Sequence, residues 1–519
     1  MITQALWLLL AAPLGLALLG LVPVATANAT PVGMARWARL AAFANVGAAV
    51  IMAGLVAANG PMHTPANPAF GLWFDTLTAV MFLLVSFVGA IVVHYSRNYM
   101  AGDPDHGRFT KWLCFTLASV LVIIISGNLV QFALAWVATS LGLGRLLIFY
   151  RNRPAAILAE RKKFIASRIG DLCIAGAMLM LYQTFGGLDY ATLFSGAKAL
   201  TTTPGAIHAA AGLFVAAALL KSAQFPLHGW LIEVMETPTP VSALLHAGII
   251  NAGGFLLLRF SGIVGLSTSA LDVLVLVGGF TALFGSVVML TQSSVKVSLA
   301  WSTIAQMGFM MLQCGLGAWS AALLHIVAHS LYKAHAFLSS GSVIDLARAS
   351  WSPSPGGQPH PARMGIAVGL VLAVTLLVAT VFGATINEQP GVFALGAIML
   401  LGLTHLIAQS IDERPNSFVV IRTLGLTLLV ASAYFGLQWV AAQLLAGTVP
   451  ANAPARGLAT LVAVLVVVAA FAAVTVLQST LARSSGTPRW QALHVHVANG
   501  FYVNTIANRL VLRLWPTGR

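Results

Sequence analysis

Apolar stretches of about 20 residues recur along the whole chain, and nothing else in it constrains the fold as strongly. Each is long enough to cross a hydrocarbon core of about 30 Å. Of the 519 residues, 59% are hydrophobic and 8% are charged, and mean hydropathy is +0.90. A soluble domain would carry about 25% charged residues. The runs are continuously apolar and do not alternate, which points to helices and away from a transmembrane barrel. Spans are expected at 5–24, 40–57, 72–94, 112–126, 128–150, 164–183, 206–225, 241–262, 270–291, 296–317, 320–344, 363–383, 391–410, 418–444 and 457–481. The fold class is therefore an all-α polytopic membrane protein with about 15 crossings. The first run lacks a basic leader and an A-x-A-like site, so it reads as a span and not as a cleaved signal.

The formal charge of +14 would suggest nucleic acid in a soluble protein. Here its distribution accounts for it. If the N-terminus lies outside, the inside segments hold Arg36, Arg39, Arg97, Arg108, Lys111, Arg151, Arg153, Arg161, Lys162, Lys163, Lys296, Arg348, Arg363, Arg414 and Arg422. Arg483, Arg489, Arg509, Arg513 and Arg519 follow in the tail, whereas the outside loops hold only Lys198, Arg259 and Arg456. The positive-inside rule then gives N-out and C-in, and no nucleic-acid partner is needed.

Cys114, Cys173 and Cys314 lie in apolar runs without metal or cluster spacing, which fits buried small hydrophobes. No P-loop or dinucleotide fingerprint is present, so direct use of ATP is not expected. The domain reading is a transmembrane unit over 1–481 and a tail over 482–519. The stretch 345–362 is the clearest linker, rich in Pro, Ser and Gly. The tail is too polar to span. Its second half mixes Phe501, Ile506, Leu510 and Leu514 with Arg509 and Arg513, as an amphipathic helix on a membrane or partner would.

A charge at the bilayer centre costs about 2.5–3.5 kcal/mol, so each one in a span is a functional candidate unless it snorkels. Arg259 is near a span end and is expected to snorkel. Arg168 and Asp171, three apart, share a helix face and suit either a structural ion pair or a proton path. Lys221 lies deep in its run, five residues before Pro226. Proline removes an amide donor and clashes with the carbonyl of Ser222, so a helix break is expected beside the lysine. Such breaks occur where they line a cavity or are buried in protein. Lys221 then reads as a proton relay, with a fixed structural cation as the alternative. His325, His329 and Lys333 are spaced four and four on one face, and His246, in the span after the expected break, would link them to Lys221. A polar wire, a metal or haem site, and interhelical polar packing all suit that pattern, although no third protein ligand is evident.

The stretches "KSAQFPLHGWLIEVMETPTPVSALLHAGI", "VKVSLAWSTIAQMGFM" and "HIVAHSLYKAHAFLSSGSVI" resemble the antiporter-like membrane subunits of respiratory complex I and of Mrp sodium/proton antiporters. The likeness covers roughly residues 70–345. It implies two inverted five-helix repeats with broken helices. It also implies a cation relay through Lys221, His246, His325, His329 and Lys333, with Arg168 and Asp171 as a supporting pair. The family's glutamate after a tryptophan is replaced by Val137, and the lysine of its second broken helix has no clear match among His405, Glu388 and Gln409.

"AWVATSLGLGRLLIFYRNRPAA" and "ALHVHVANGFYVNTIANRL" are more similar to the membrane subunits of the two-component DAB complexes of bacterial inorganic-carbon accumulation. That likeness implies a bacterial inner (plasma) membrane location and a cytoplasmic DabA partner resembling a zinc β-carbonic anhydrase. A proton or sodium gradient would drive hydration of CO₂ to bicarbonate there. The chain would then be no enzyme and hold no cofactor or metal of its own; the zinc belongs to the partner. Trp490, Phe501, Tyr502 and Leu510 are the expected docking residues, and the pair His494 and His496 reads as packing. A redox-driven proton pump, an Mrp-type antiporter and a plain membrane anchor are the rival readings.

Overall fold

A computed structural model describes the chain except residues 1–5, 8, 66–68, 151–152, 235–236, 342–360, 387, 412–416, 451–456, 485–486 and 517–519. The linker expected at 345–362 lies outside the described residues as far as 360. Among the described residues, eleven helices are long and apolar enough to cross a membrane. There are twelve if Pro390–Leu401 and Thr404–Ser410, bent by 46°, form one span. The sequence suggested about 15. The other three expected spans fall on Ala11–Leu21, Gly205–Lys221 and Trp319–Leu338. The first two have 11 and 17 residues, below or at the lower limit for a crossing. The third has 20, but its three histidines and one lysine lower its hydropathy.

Seven helices of the bundle and one of the tail build the site. In chain order they are α1 (Leu129–Leu147), α2 (Pro154–Phe185), α3 (Gly205–Lys221), α4 (Gly229–Glu233), α5 (Thr239–Ala247), α6 (Val295–Gly315), α7 (Trp319–Leu338) and α8 (Val503–Leu514). Local sequence fixes their ends. The Asn128 side chain accepts from the Val130 amide at 2.7 Å and caps α1. Pro154 at the first position starts α2 ten residues before the hydropathy run at 164, because proline suits a first turn whose amides have no partner anyway. Those extra turns, nearly three, carry Lys162 and Lys163 into the bundle, where both are buried.

Thr239–Arg259 is wholly buried at the centre. Ser417–Leu444 and Ala459–Leu477 sit at the periphery and expose Leu429, Leu437 and Val466, the surface a lipid-facing helix presents. The helix Thr268–Met289 and α6 meet through Gly278, Gly285 and Gly308, where any β-carbon would press on the facing backbone. A two-stranded hairpin, β1 (Met62–His63) antiparallel to β2 (Trp73–Phe74), precedes the helix Thr76–Tyr99.

Arg259 does not snorkel. It is buried and grips Asp75, with Nη1 to Oδ2 at 2.5 Å and Nη2 donating to the Thr78 hydroxyl at 2.6 Å. Asp75 also caps Thr76–Tyr99 by accepting from the Thr78 amide at 2.8 Å. The arginine end of its helix faces protein, and the capping carboxylate supplies the counter-charge that solvent would have supplied.

Candidate functional site

The helix break expected beside Lys221 is real and local. α3 ends at Lys221, and Ala223 turns into the left-handed region with φ of 50°. The Gln224 amide then closes back on the Leu219 carbonyl at 3.2 Å. The Ser222 carbonyl is met by the Gln224 side chain, Nε2 to O at 2.9 Å, and not by the lysine. The Ser222 hydroxyl donates to the Ile250 carbonyl at 2.9 Å, tying the break to the central helix. α4 resumes at Gly229.

Lys221 thus occupies the last turn of α3, where unpaired carbonyls favour a cation. Its Nζ donates to the Ser140 hydroxyl at 2.8 Å and stands 4.4 Å from the centre of the Trp136 ring, both on α1. Ser140 is three residues after Val137, on the same helix face. The Ser140 carbonyl accepts from Lys163 of α2, so one serine holds two buried lysines by different oxygens. α1 carries no Asp or Glu, and the carboxylates near the two lysines stand on α2. Glu160 lies beside Lys163 at the space left by Gly144, and Asp171 acts on both lysines through space. Asp171 in turn pairs with Arg168 at 2.8 Å. Lys163, Lys221 and Trp230 share a water-sized cavity with Leu245, Ile249 and Ile250.

The second cluster is on α5, α6 and α7. His325, His329 and Lys333 share a face of α7. Lys333 donates to the Ser302 hydroxyl at 2.8 Å and to the Leu299 carbonyl at 3.1 Å, both on α6. His325 Nδ1 is 3.0 Å from Gln313 Oε1, and the rings of His325 and His329 are 5.9 Å apart. His329 meets the backbone of His246. His246 Nδ1 is 3.0 Å from the Thr303 hydroxyl, and its ring stacks on Phe337 at 4.3 Å. Nε2 of His246, His325 and His329 is buried without a protein hydrogen-bond partner. Among the described side chains, the hydrogen bonds of the two clusters do not join into a continuous bridge. In the late helices Glu388 and Gln409 are exposed and His405 is half-buried. Among the described residues, no group of three His, Cys, Asp or Glu could hold a metal.

The tail lies against this site. Lys162 pairs with Glu233 of α4 at 2.6 Å. It also donates to Oδ1 of Asn504 and of Asn508, each at 2.7 Å. The two asparagine amides donate to Glu233 Oε1 at 3.0 and 2.8 Å. Arg161 donates to the Trp515 carbonyl at 2.5 Å and stacks on its ring. Of the four expected docking residues, Phe501, Tyr502 and Leu510 are exposed and Trp490 is half-buried. Leu510 lies with Ile506 and Leu514 on the outer side of α8, whereas Asn504 and Asn508 turn inward. Sequence reasoning passed over Trp136, Ser140, Lys163, Glu233, Asn504 and Asn508. A signal existed for the lysine, since Pro154 marks an earlier helix start, and for the asparagines, which are four apart on an amphipathic helix.

Residues 126–351 match the family described as NADH:quinone oxidoreductase/Mrp antiporter, TM. Residues 63–110 match the N-terminus of chain 5 of NADH-ubiquinone oxidoreductase (complex I). The chain is 40% identical over 449 residues to a probable inorganic carbon transporter subunit DabB2 of Halothiobacillus neapolitanus, covering 86% of this chain and 81% of that protein. It is 43% identical over 362 residues to the probable subunit DabB of Hydrogenovibrio crunogenus, covering 64% and 70%. A solved Mrp complex from Dietzia sp. DQ12-45-1b has the same fold, with a TM-score of 0.65 at 23% identity, over 99% of this chain and 60% of that one. The chain belongs to the complex I/Mrp antiporter-like family of membrane subunits, among the DabB inorganic carbon transporter subunits.

Proposed function

We propose that this chain is the cation-conducting membrane subunit of an inorganic-carbon accumulation complex, with the proton as its ion. One observation carries the reading. Lys163, Lys221, His246 and Lys333 sit buried along α2, α3, α5 and α7, each held by a neutral hydroxyl or carbonyl on a facing helix. Such groups are retained in membranes where they move or bind ions. Two ammonium groups around Ser140 repel each other when both are charged, so a proton arriving at Lys163 helps to expel one from Lys221. The unpaired Nε2 atoms of the histidines are the kind of buried polar atom that ordered water meets, and water there would extend the path to Lys333.

In this reading the core is two inverted five-helix repeats, the second broken at the bend between Pro390–Leu401 and Thr404–Ser410. The N-terminus is outside, the tail is inside the bacterial plasma membrane, and residues 482–519 are a docking segment. The partner is a DabA-type zinc protein resembling a β-carbonic anhydrase, and the gradient drives its hydration of CO₂ to bicarbonate. The curated names of the relatives as inorganic carbon transporter subunits favour this over a redox-driven pump or an Mrp antiporter.

Lys221→Ala and Lys333→Ala should each abolish growth at ambient CO₂ in a host that depends on the complex, with expression and membrane insertion intact. Unchanged growth in air with either variant refutes the relay.

A further inference from the structure

A closed polar network lies outside the relay. Lys162, Glu233, Asn504 and Asn508 form a closed network in which each asparagine accepts from the lysine and donates to the glutamate. It joins three elements: α2, the short α4 after the break, and the tail helix α8. Both charged side chains are largely buried, at 7% and 13% exposure. Surface contacts of incidental origin do not satisfy four groups at once in this way.

The network abuts the relay on two sides. Lys162 precedes Lys163, which is bound to Ser140, the acceptor of Lys221. Glu233 is three residues from Trp230, which lines the cavity beside Lys221. α4 has only five residues and follows an irregular turn, so its own backbone cannot fix its position. The close approach is built in: a β-carbon on Gly229 would run into the Asn504 amide oxygen. Gly500 likewise lets Trp301 of α6 come within 3.2 Å of where its β-carbon would be.

We infer that the C-terminal helix is a clamp that sets the position of the post-break segment, and that Lys162, Glu233, Asn504 and Asn508 are positioning residues of the relay. The inference rests on the conducting role proposed above. Seated, α8 holds Glu233 and through α4 holds Trp230 in the wall of the cavity beside Lys221. Its outer side, with Ile506, Leu510 and Leu514 exposed, leaves the clamp within reach of whatever binds the tail.

The test uses the full chain with its co-purifying partner in proteoliposomes. Val511 is the buried residue of α8 itself, so maleimide labelling of Val511→Cys reports seating. Gly229→Ala and Asn504→Ala/Asn508→Ala should expose that cysteine, lower proton flux at least fivefold and shift the pH profile of flux. Lys162→Glu and Glu233→Lys should each do the same. The double swap should restore both readouts, because each asparagine amide can flip and exchange donor for acceptor. Unseating with parental flux and pH profile overturns the clamp, as does a swap that reseats the tail without restoring flux. A cysteine that stays protected in every variant overturns it as well. Absence of flux in the parent overturns the conducting role and the coupling that depends on it, which separates the two failures.

Discussion

Ser140 gives the sharpest test of how Lys221 is held. Its hydroxyl accepts from Lys221 at 2.8 Å, whereas Lys163 uses the main-chain carbonyl of the same residue. Ser140→Ala therefore removes one contact of one lysine and leaves the other in place. A hydrogen bond to a charged group contributes about 1.5–3 kcal/mol. The Trp136 face, at 4.4 Å, and the C-terminal turn of α3 remain to support the ammonium. If loading of Lys221 limits conduction, that loss slows flux by about tenfold to 150-fold. The assay is proton flux in proteoliposomes containing the purified complex, normalised to inserted protein, beside growth at ambient CO₂. Ser140→Thr keeps the hydroxyl and should hold flux within a few-fold of the parent. Parental flux in Ser140→Ala, with Lys221→Ala inactive, would refute the assignment of the serine as the lysine's acceptor.

Two further outcomes follow from the packing. Arg259→Ala strands the buried Asp75 carboxylate and should destabilise the detergent-solubilised protein by about 3–5 kcal/mol. The pair Asp75→Asn/Arg259→Met leaves no lone charge and should lose less in thermal unfolding; equal losses would contradict the buried-pair argument. Gly308→Val places a branched side chain where even a β-carbon lies 2.5 Å from the Ala282 nitrogen, so folded yield in mild detergent should collapse, and a normal yield would refute the close contact.

Much of the fold was legible because hydropathy and membrane thickness leave few options. The runs at 72–94, 112–126, 128–150 and 270–291 correspond to helices Thr76–Tyr99, His106–Ile125, Leu129–Leu147 and Thr268–Met289. Where polarity entered, length and composition gave a blurred answer. Gly205–Lys221 is cut short by the break, and Trp319–Leu338 is diluted by the very residues that make it interesting. At the site, helix periodicity placed His325, His329 and Lys333 on one face, and Pro226 marked the break beside Lys221. Periodicity cannot see between helices. That Ser140 would face Lys221 across 81 positions, or Asn508 face Glu233 across 275, depends on tertiary packing. Arg259 misled for the same reason, since its distance from a span end says nothing about a carboxylate waiting 184 residues earlier.

Val137 and the rest of α1 offer Lys221 no carboxylate, which bears on how firmly the proposed relay holds its cation. A carboxylate about 4 Å from an ammonium, at an effective dielectric constant near 20, attracts it by about 4 kcal/mol. The hydroxyl and ring that hold Lys221 carry no net charge. Its carboxylate support comes from Asp171, which is already engaged by Arg168, while Glu160 stands nearer Lys163. Counter-charge is thus moved off α1 and onto α2, the helix that also carries Lys162 to the tail network. In such an arrangement small movements of α2 alter the balance at both lysines together. A contact ion pair on α1 would instead bind Lys221 tightly whatever α2 did. The valine and the tail network then belong to one design, in which control of the central lysine passes to the helix that the C-terminus holds.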